Sequence, residues 1–164
     1  MATSTPNYGT ATTITITLAS LASSTVASGV GRQSNAVDNT SDLAVDSHVG
    51  GKINTGTTTA NLSIEIWAFG SYDGTSFAGG AGSTDAGLTL VPTIKFLLRP
   101  IFTIWVPDTT ARVYTWGPCS VAQAFGGAMP RKWGIWVLNS SGAALNATPG
   151  NHELKYTPIK FTST

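Results

Sequence analysis

An all-β fold, a jelly-roll-like antiparallel sandwich with one short helix, is what this sequence predicts, on three observations. The composition is rich in Thr, Ser and Gly with 8 prolines, which favours pleated surfaces and turns over helices. Apolar residues recur with period two in several short runs. Turn signals separate roughly seven to nine such runs, and one helical turn interrupts them, the pattern of a sandwich with long loops at one end.

Taken in order, residues 1–10 carry almost nothing to bury and read as a flexible N-terminal arm. Residues 11–164 then read as one sandwich domain. Ile14, Ile16 and Leu18 alternate with Thr13, Thr15 and Thr17, the signature of a half-buried strand. The small, polar residues 19–41 have no periodic apolar face and read as a long connection, a length usually ordered by a partner or used in function. Leu43, Val45 and Val49 suggest a short strand near 42–49. A stronger one follows, with Leu62, Ile64, Ile66 and Ala68 on one face and Ser63, Glu65, Trp67 and Phe69 on a second face that is not simply wet.

Asp73-Gly74 suits a type I′ hairpin flanked by Tyr72 and Phe77. Residues 78–87 read as a flexible Gly/Ala/Ser loop, and 88–91, 94–98 and 101–106 as strands. Pro92, Pro100 and Pro107 belong at strand ends, edges or bulges, because each removes a ladder donor. Another strand covers 112–116. Ser120 and Gln123 have capping-box spacing, Val121, Ala124 and Phe125 share a face, and Gly126 is placed to end the turn, which predicts a short helix closing one end of the sandwich. Trp133–Leu138 form a strand apolar on both faces, and the last strand runs near Glu153–Phe161 with Pro158 inside it.

Charge bounds the function. Only 10% of residues are charged, with 9 Lys+Arg against 8 Asp+Glu. Such a chain offers no basic field for a phosphate backbone, so nucleic acid is not an expected partner. Its longest apolar run is broken by Arg99 and Pro100 and falls short of the roughly 20 residues a membrane helix needs, so no membrane partner is expected either. No basic, apolar leader precedes the first cation, Arg32. The single cysteine, Cys119, cannot close a disulfide within a monomer, in keeping with assembly in a reducing cytoplasm.

No nucleophile elbow, Walker loop or His-Glu-x-x-His helix occurs, so the chain reads as a non-enzyme without a cofactor. His48 and His152 have no ligand spacing between them. Cys119 reads as a small buried hydrophobe rather than a nucleophile activated by His152. Asp38, Asp42 and Asp46 recur every four residues, but no EF-hand glycine or glutamate stands in register. Asn39, Asn61, Asn139 and Asn146 open Asn-x-Ser/Thr triplets that arise by chance in a chain this rich in Ser and Thr. The five tryptophans, at 67, 105, 116, 133 and 136, read as core or interface residues, with a sugar-stacking platform as the alternative.

Three stretches carry a likeness. Gly31-Arg-Gln-Ser-Asn-Ala-Val-Asp-Asn39, Ile64-Glu-Ile-Trp-Ala-Phe-Gly-Ser-Tyr-Asp-Gly74 and Phe125-Gly-Gly-Ala-Met-Pro-Arg-Lys-Trp-Gly-Ile-Trp-Val-Leu-Asn139 resemble small virion structural proteins of tailed bacteriophages and prophages, over about residues 29–160. The resemblance implies a capsid decoration or cement protein, assembled in the host cytoplasm and placed on the capsid surface of the virion. It would bind the major capsid protein and itself as a homo-oligomer. The residues expected at such contacts, read from the exposed arm and the scarce cations, are Tyr8, Arg32 and the adjacent Arg131 and Lys132. The competing expectation is a carbohydrate-binding module or tail adhesin that contacts host glycan through exposed aromatics.

Overall fold

The computed structural model describes residues 4–24, 29–59 and 61–163. Its strands are β1 (Ser4–Tyr8), β2 (Thr12–Thr13), β3 (Val30–Gln33), β4 (Val37–Asp38), β5 (Asp46–Asn54), β6 (Leu62–Ser71), β7 (Ala86–Thr89), β8 (Arg99–Val106), β9 (Val113–Ser120), β10 (Lys132–Ser140) and β11 (Glu153–Ser163). Two helical turns, α1 (Pro92–Lys95) and α2 (Val121–Ala124), interrupt them.

All pairings are antiparallel. One sheet has the order β1-β11-β5-β9, with β2 also on β11; the other has the order β7-β3-β10-β6-β8, with β4 also on β10. Setting aside β2, β4 and β7, the remaining strands in chain order read first-eighth-third-sixth in one sheet and second-seventh-fourth-fifth in the other. That interleaving is a jelly roll, two Greek keys folded face to face.

The core lies between the sheets. β10 contributes Trp133, Ile135 and Val137, β6 contributes Ile64, Ile66 and Ala68, and the facing sheet supplies Val49, Ile53 and Leu154. The alternation seen in the sequence therefore sets the inward face of β6. Its outward face is covered as well: Phe69 joins Trp136, Leu138, Leu90 and Leu98 in a second apolar cluster beneath the excursion that runs from Phe77 through α1. Two glycines make room for it. A Cβ at Gly134 would overlap the Phe69 ring, and one at Gly31 would come within 2.6 Å of the Trp136 indole.

The α2 turn forms as its capping residues dictate. Ser120 Oγ accepts the Gln123 amide at 3.0 Å, Val121 is fully buried, and Gly126 leaves the turn at φ +79°. Phe125 packs against the sandwich core, so the turn closes one end of it.

Several elements differ from the sequence reading. Residues 4–8 of the expected arm, though all exposed, are an edge strand on β11, with Ser4 opposite Ser163 and Tyr8 opposite Ile159; residues 1–3 lie outside the described residues. Ile14–Leu18 has the expected burial, Ile14 and Leu18 in and Thr15 and Thr17 out, but it forms no ladder. The segment crosses between the sheets, the Ile14 amide donating to Leu154 O and Thr15 O accepting the Asn35 amide, both at 2.8 Å.

The long connection contains β3 and β4. Its polar residues are buried because they are hydrogen-bonded at a distance: Gln33 reaches Thr84 O at 2.6 Å and accepts the Gly82 amide at 3.0 Å. Residues 94–98 are not a strand, since α1 and the turn after it occupy them. Asp73-Gly74 makes no hairpin, because β6 pairs with β8 and β10 and not with the segment that follows it. Asp73 instead accepts the amides of Thr75 and Ser76 at 2.8 and 2.7 Å, an Asx turn. Pro100 sits where an edge and a bulge permit it, on edge strand β8 at the register shift opposite Ile66/Trp67.

Ile66, fully buried between Val137 and Phe102 in register, gives a direct test of the inward face. Ile66→Asp places a carboxylate among aliphatics, and the protein is expected in the insoluble fraction, with red-shifted tryptophan emission in any soluble remnant. Asn139, fully buried, donates to Leu21 O and Ala143 O at 2.9 and 2.8 Å and accepts from Ser141 Oγ at 2.7 Å. Asn139→Ala strands these partners, so a loss of about 2–3 kcal/mol in urea unfolding is expected.

Candidate functional site

The outer face of the first sheet is hollow. Gly50 and Gly51 of β5 and Gly117 of β9 lie side by side there, and none has room for a side chain. A Cβ at Gly50 would sit 2.8 Å from Trp116 O, one at Gly117 would sit 2.7 Å from the Gly50 Cα, and one at Gly51 would overlap the Glu153 carbonyl. The result is an open concavity of about 520 Å³, rimmed by Tyr8, His48, Lys52, Pro118, Glu153 and Lys155.

The Tyr8 ring stands tilted against His48 with centroids 5.9 Å apart. Glu153 lies 3.7 Å from Lys52 and pairs also with Lys155. The Lys155 hydrogen bond, aided by the charges of both lysines, holds the Glu153 carboxyl below the usual carboxylate range. The rim thus carries two lysines that share one carboxylate.

The chemistry-bearing residues of the sequence lie apart. Cys119 is opposite Val49 on β5, whereas His152 receives the amide of Asn54 on the same strand at 3.4 Å. Five strand positions separate the two, on the order of 16 Å, so His152 does not activate the thiol. Burial pushes the Cys119 pKa up, away from the thiolate. The three aspartates spaced by four diverge. Asp38 accepts from the amide and hydroxyl of Thr40, Asp42 holds Lys160 at 2.9 Å, and Asp46 takes the Ala122 amide at 2.8 Å. No group of three or more His, Cys, Asp or Glu suited to a metal occurs among the described residues.

Of the four residues singled out for partner contact, only Arg131 and Lys132 are neighbours. Tyr8, 63% exposed, belongs to the first sheet. Arg32 is bound within the chain, its Nε 2.6 Å from Asp85 Oδ1, and Asp85 also accepts from Thr17 Oγ1 at 2.5 Å. Lys132 faces Asp38 at 3.6 Å, while Arg131 is exposed.

Among the described residues, ion pairs engage every lysine and arginine except Arg99 and Arg131. All 8 acidic residues have a partner: Asp46 and Asp73 bind backbone amides, and the other six are in ion pairs. In the sequence Arg99 reads only as an interruption of an apolar run. Of the tryptophans, Trp116, Trp133 and Trp136 are buried, Trp67 is half-buried beneath Lys95, and Trp105 is 57% exposed.

Compared with models of protein families, with curated proteins and with solved structures, the chain has no match.

The Arg32–Asp85 pair yields a pH-dependent test. Partial burial pushes the Asp85 carboxyl up, but the hydrogen bonds from Arg32 and Thr17 and the Arg32 charge together outweigh it and leave the pKa lowered. A lowered folded pKa stabilises above the unfolded value of about 3.9, and that contribution is lost as pH falls through the folded one. Arg32→Gln is therefore expected to cost about 1 kcal/mol at pH 7, with the gap to the parent narrowing in urea melts at pH 3.

Proposed function

We propose that this chain is a non-enzymatic structural protein of a tailed-phage or prophage virion, a decoration or cement protein that binds the major capsid protein at the head surface as a homo-oligomer. The observation that carries this reading is where the three resembling stretches fall. Gly31–Asn39 contains β4 and most of β3, Ile64–Gly74 contains most of β6, and Phe125–Asn139 contains most of β10. These strands are neighbours in the second sheet, with β10 between the other two. The likeness thus falls on one contiguous block of scaffold, the part of a fold that related structural proteins would share while their attachment loops differ.

The exposed side chains add to the reading. Leu43 is 74% exposed at a left-handed φ of +48°, held by the Asn39 side chain, which bonds the amide and carbonyl of Ala44 at 2.9 and 3.1 Å. A large apolar side chain presented to water from a strained, braced loop is a feature that a repeating neighbour would cover. Arg131 lines the same small depression. The glycan-binding alternative needs coplanar exposed aromatics, and Trp105 is the one tryptophan offered to solvent.

Quantitative mass spectrometry of purified particles tests the proposal. On the order of hundreds of copies per particle are expected for a symmetric shell component, and a handful of copies, or none, overturns it. Lys132 is engaged with Asp38, so Arg131 is the cleaner probe of the corner. Arg131→Glu is expected to weaken attachment severalfold at low salt and less at high salt, with unchanged thermal stability.

A further inference from the structure

The four sheet edges are protected unequally. β1 carries Pro6 and is polar, β7 has only 4 residues, and β9 carries Pro118. β8 has 8 residues, and Pro100 blunts only its start. Beyond Pro100 the edge is apolar and wet: Phe102 is 41% and Trp105 57% exposed. Phe102 stacks on Trp116 of the other sheet with the rings inclined by 22°. Among the described residues, no backbone hydrogen bond joins β8 to any segment other than β6.

The turn after α1 leads into β8 and exposes further apolar side chains. Lys95 Nζ is fixed 2.8 Å from Glu65 Oε2, Glu65 is opposite Thr103 in register, and Trp105 is two positions further along the same face. Phe96 and Leu97, which follow Lys95 directly, are 70% and 58% exposed. Of the two β8 aromatics, Trp105 shares the face of Glu65 and Thr103, whereas Phe102, opposite Ile66, faces Trp116 of the other sheet. Arg99 heads the strand without a counter-ion among the described residues.

We propose that the β8 edge from Phe102 to Val106 takes an extended segment of a different protein as an added strand, one that alternates apolar and other side chains and carries an acidic residue for Arg99. Main-chain bonds to the open edge would supply affinity, and the Trp105, Phe96 and Leu97 surface would receive every second side chain. Charge favours a different protein over a second copy as the occupant: all 8 acidic side chains of this chain already have a partner within it, so a copy would have to give up one of these contacts to serve Arg99. The proposal deepens the shell reading by naming the surface and the chemistry of its partner, but its test needs only purified protein and peptide, so it fails or stands separately from particle attachment.

A displayed library of random 12-residue peptides, selected on the full chain, is the probe. Enriched peptides are expected to alternate apolar residues and to contain Asp or Glu. Made synthetically, they should lose at least tenfold in affinity on Trp105→Ser and about threefold on Arg99→Gln, while Lys160→Gln, on β11 of the other sheet, has no effect. Methylation of alternate peptide amides should abolish binding, because an added strand needs its N–H groups. Both variants replace exposed side chains, and unchanged melting temperatures verify the fold. Absence of enrichment, binders indifferent to Trp105 and Arg99, or tolerance of amide methylation would each overturn the proposal. So would a concentration-dependent dimer abolished by Trp105→Ser, since that places a second copy on the edge.

Discussion

The requirement that β10 be covered on both faces governs this structure. Eight of its 9 residues are buried, whereas a strand of an antiparallel sandwich normally turns every second side chain to water. Trp133, Ile135 and Val137 fill the space between the sheets, so Trp136 and Leu138 must find a second cover. The excursion through α1 supplies it. Trp136 Nε1 donates to Leu88 O at 3.1 Å, and Lys95 is clamped between Glu65 and the Trp67 ring, 5.0 Å from its centroid. A buried ion pair of this kind adds little to stability over an apolar pair of equal size. Its effect here is positional: it sets the α1 turn over the sheet at one place.

How much of this was legible follows from the range of the interactions concerned. The inward face of β6, the doubly apolar β10 and the capped α2 are written in neighbouring residues, and each was readable from spacing alone. β3 was not. Its burial depends on Gly31 admitting a tryptophan from β10 and on Gln33 reaching residues about fifty positions away, and no local period records either fact. The α1 turn was missed for the opposite reason: a short apolar run suits strand and helix equally when its environment is unknown. Asp73-Gly74 has hairpin chemistry, but the partner of β6 is set by sheet order rather than by the adjacent turn.

The candidate surfaces were harder still to read. Sequence gives the number of charges but not their pairing, and most of the pairs here are long-range, as Lys160 with Asp42 and Lys132 with Asp38. Only the folded chain separates Arg32, tied to Asp85, from Arg99 and Arg131, which are not. With nearly all charge neutralised at contact distance, the far field of the molecule is weak, and orientation of any partner falls to local features within a Debye length of about 8–10 Å. The hollow over Gly50, Gly51 and Gly117 has the same character: a signal in the sequence only as three glycines, a shape only when two strands set them side by side.

The place of β11 has a temporal consequence. It lies between β1 and β5, so the first sheet is split until residues 153–163 are in position. β6 can pair with β8 as soon as both have been made, whereas the first sheet cannot close before β11 exists. Closure of such distant pairings is slow on entropic grounds. Acquisition of the native state accordingly waits for β11, and the interval before it is when the apolar strands of this molecule are most open to chaperones and to one another.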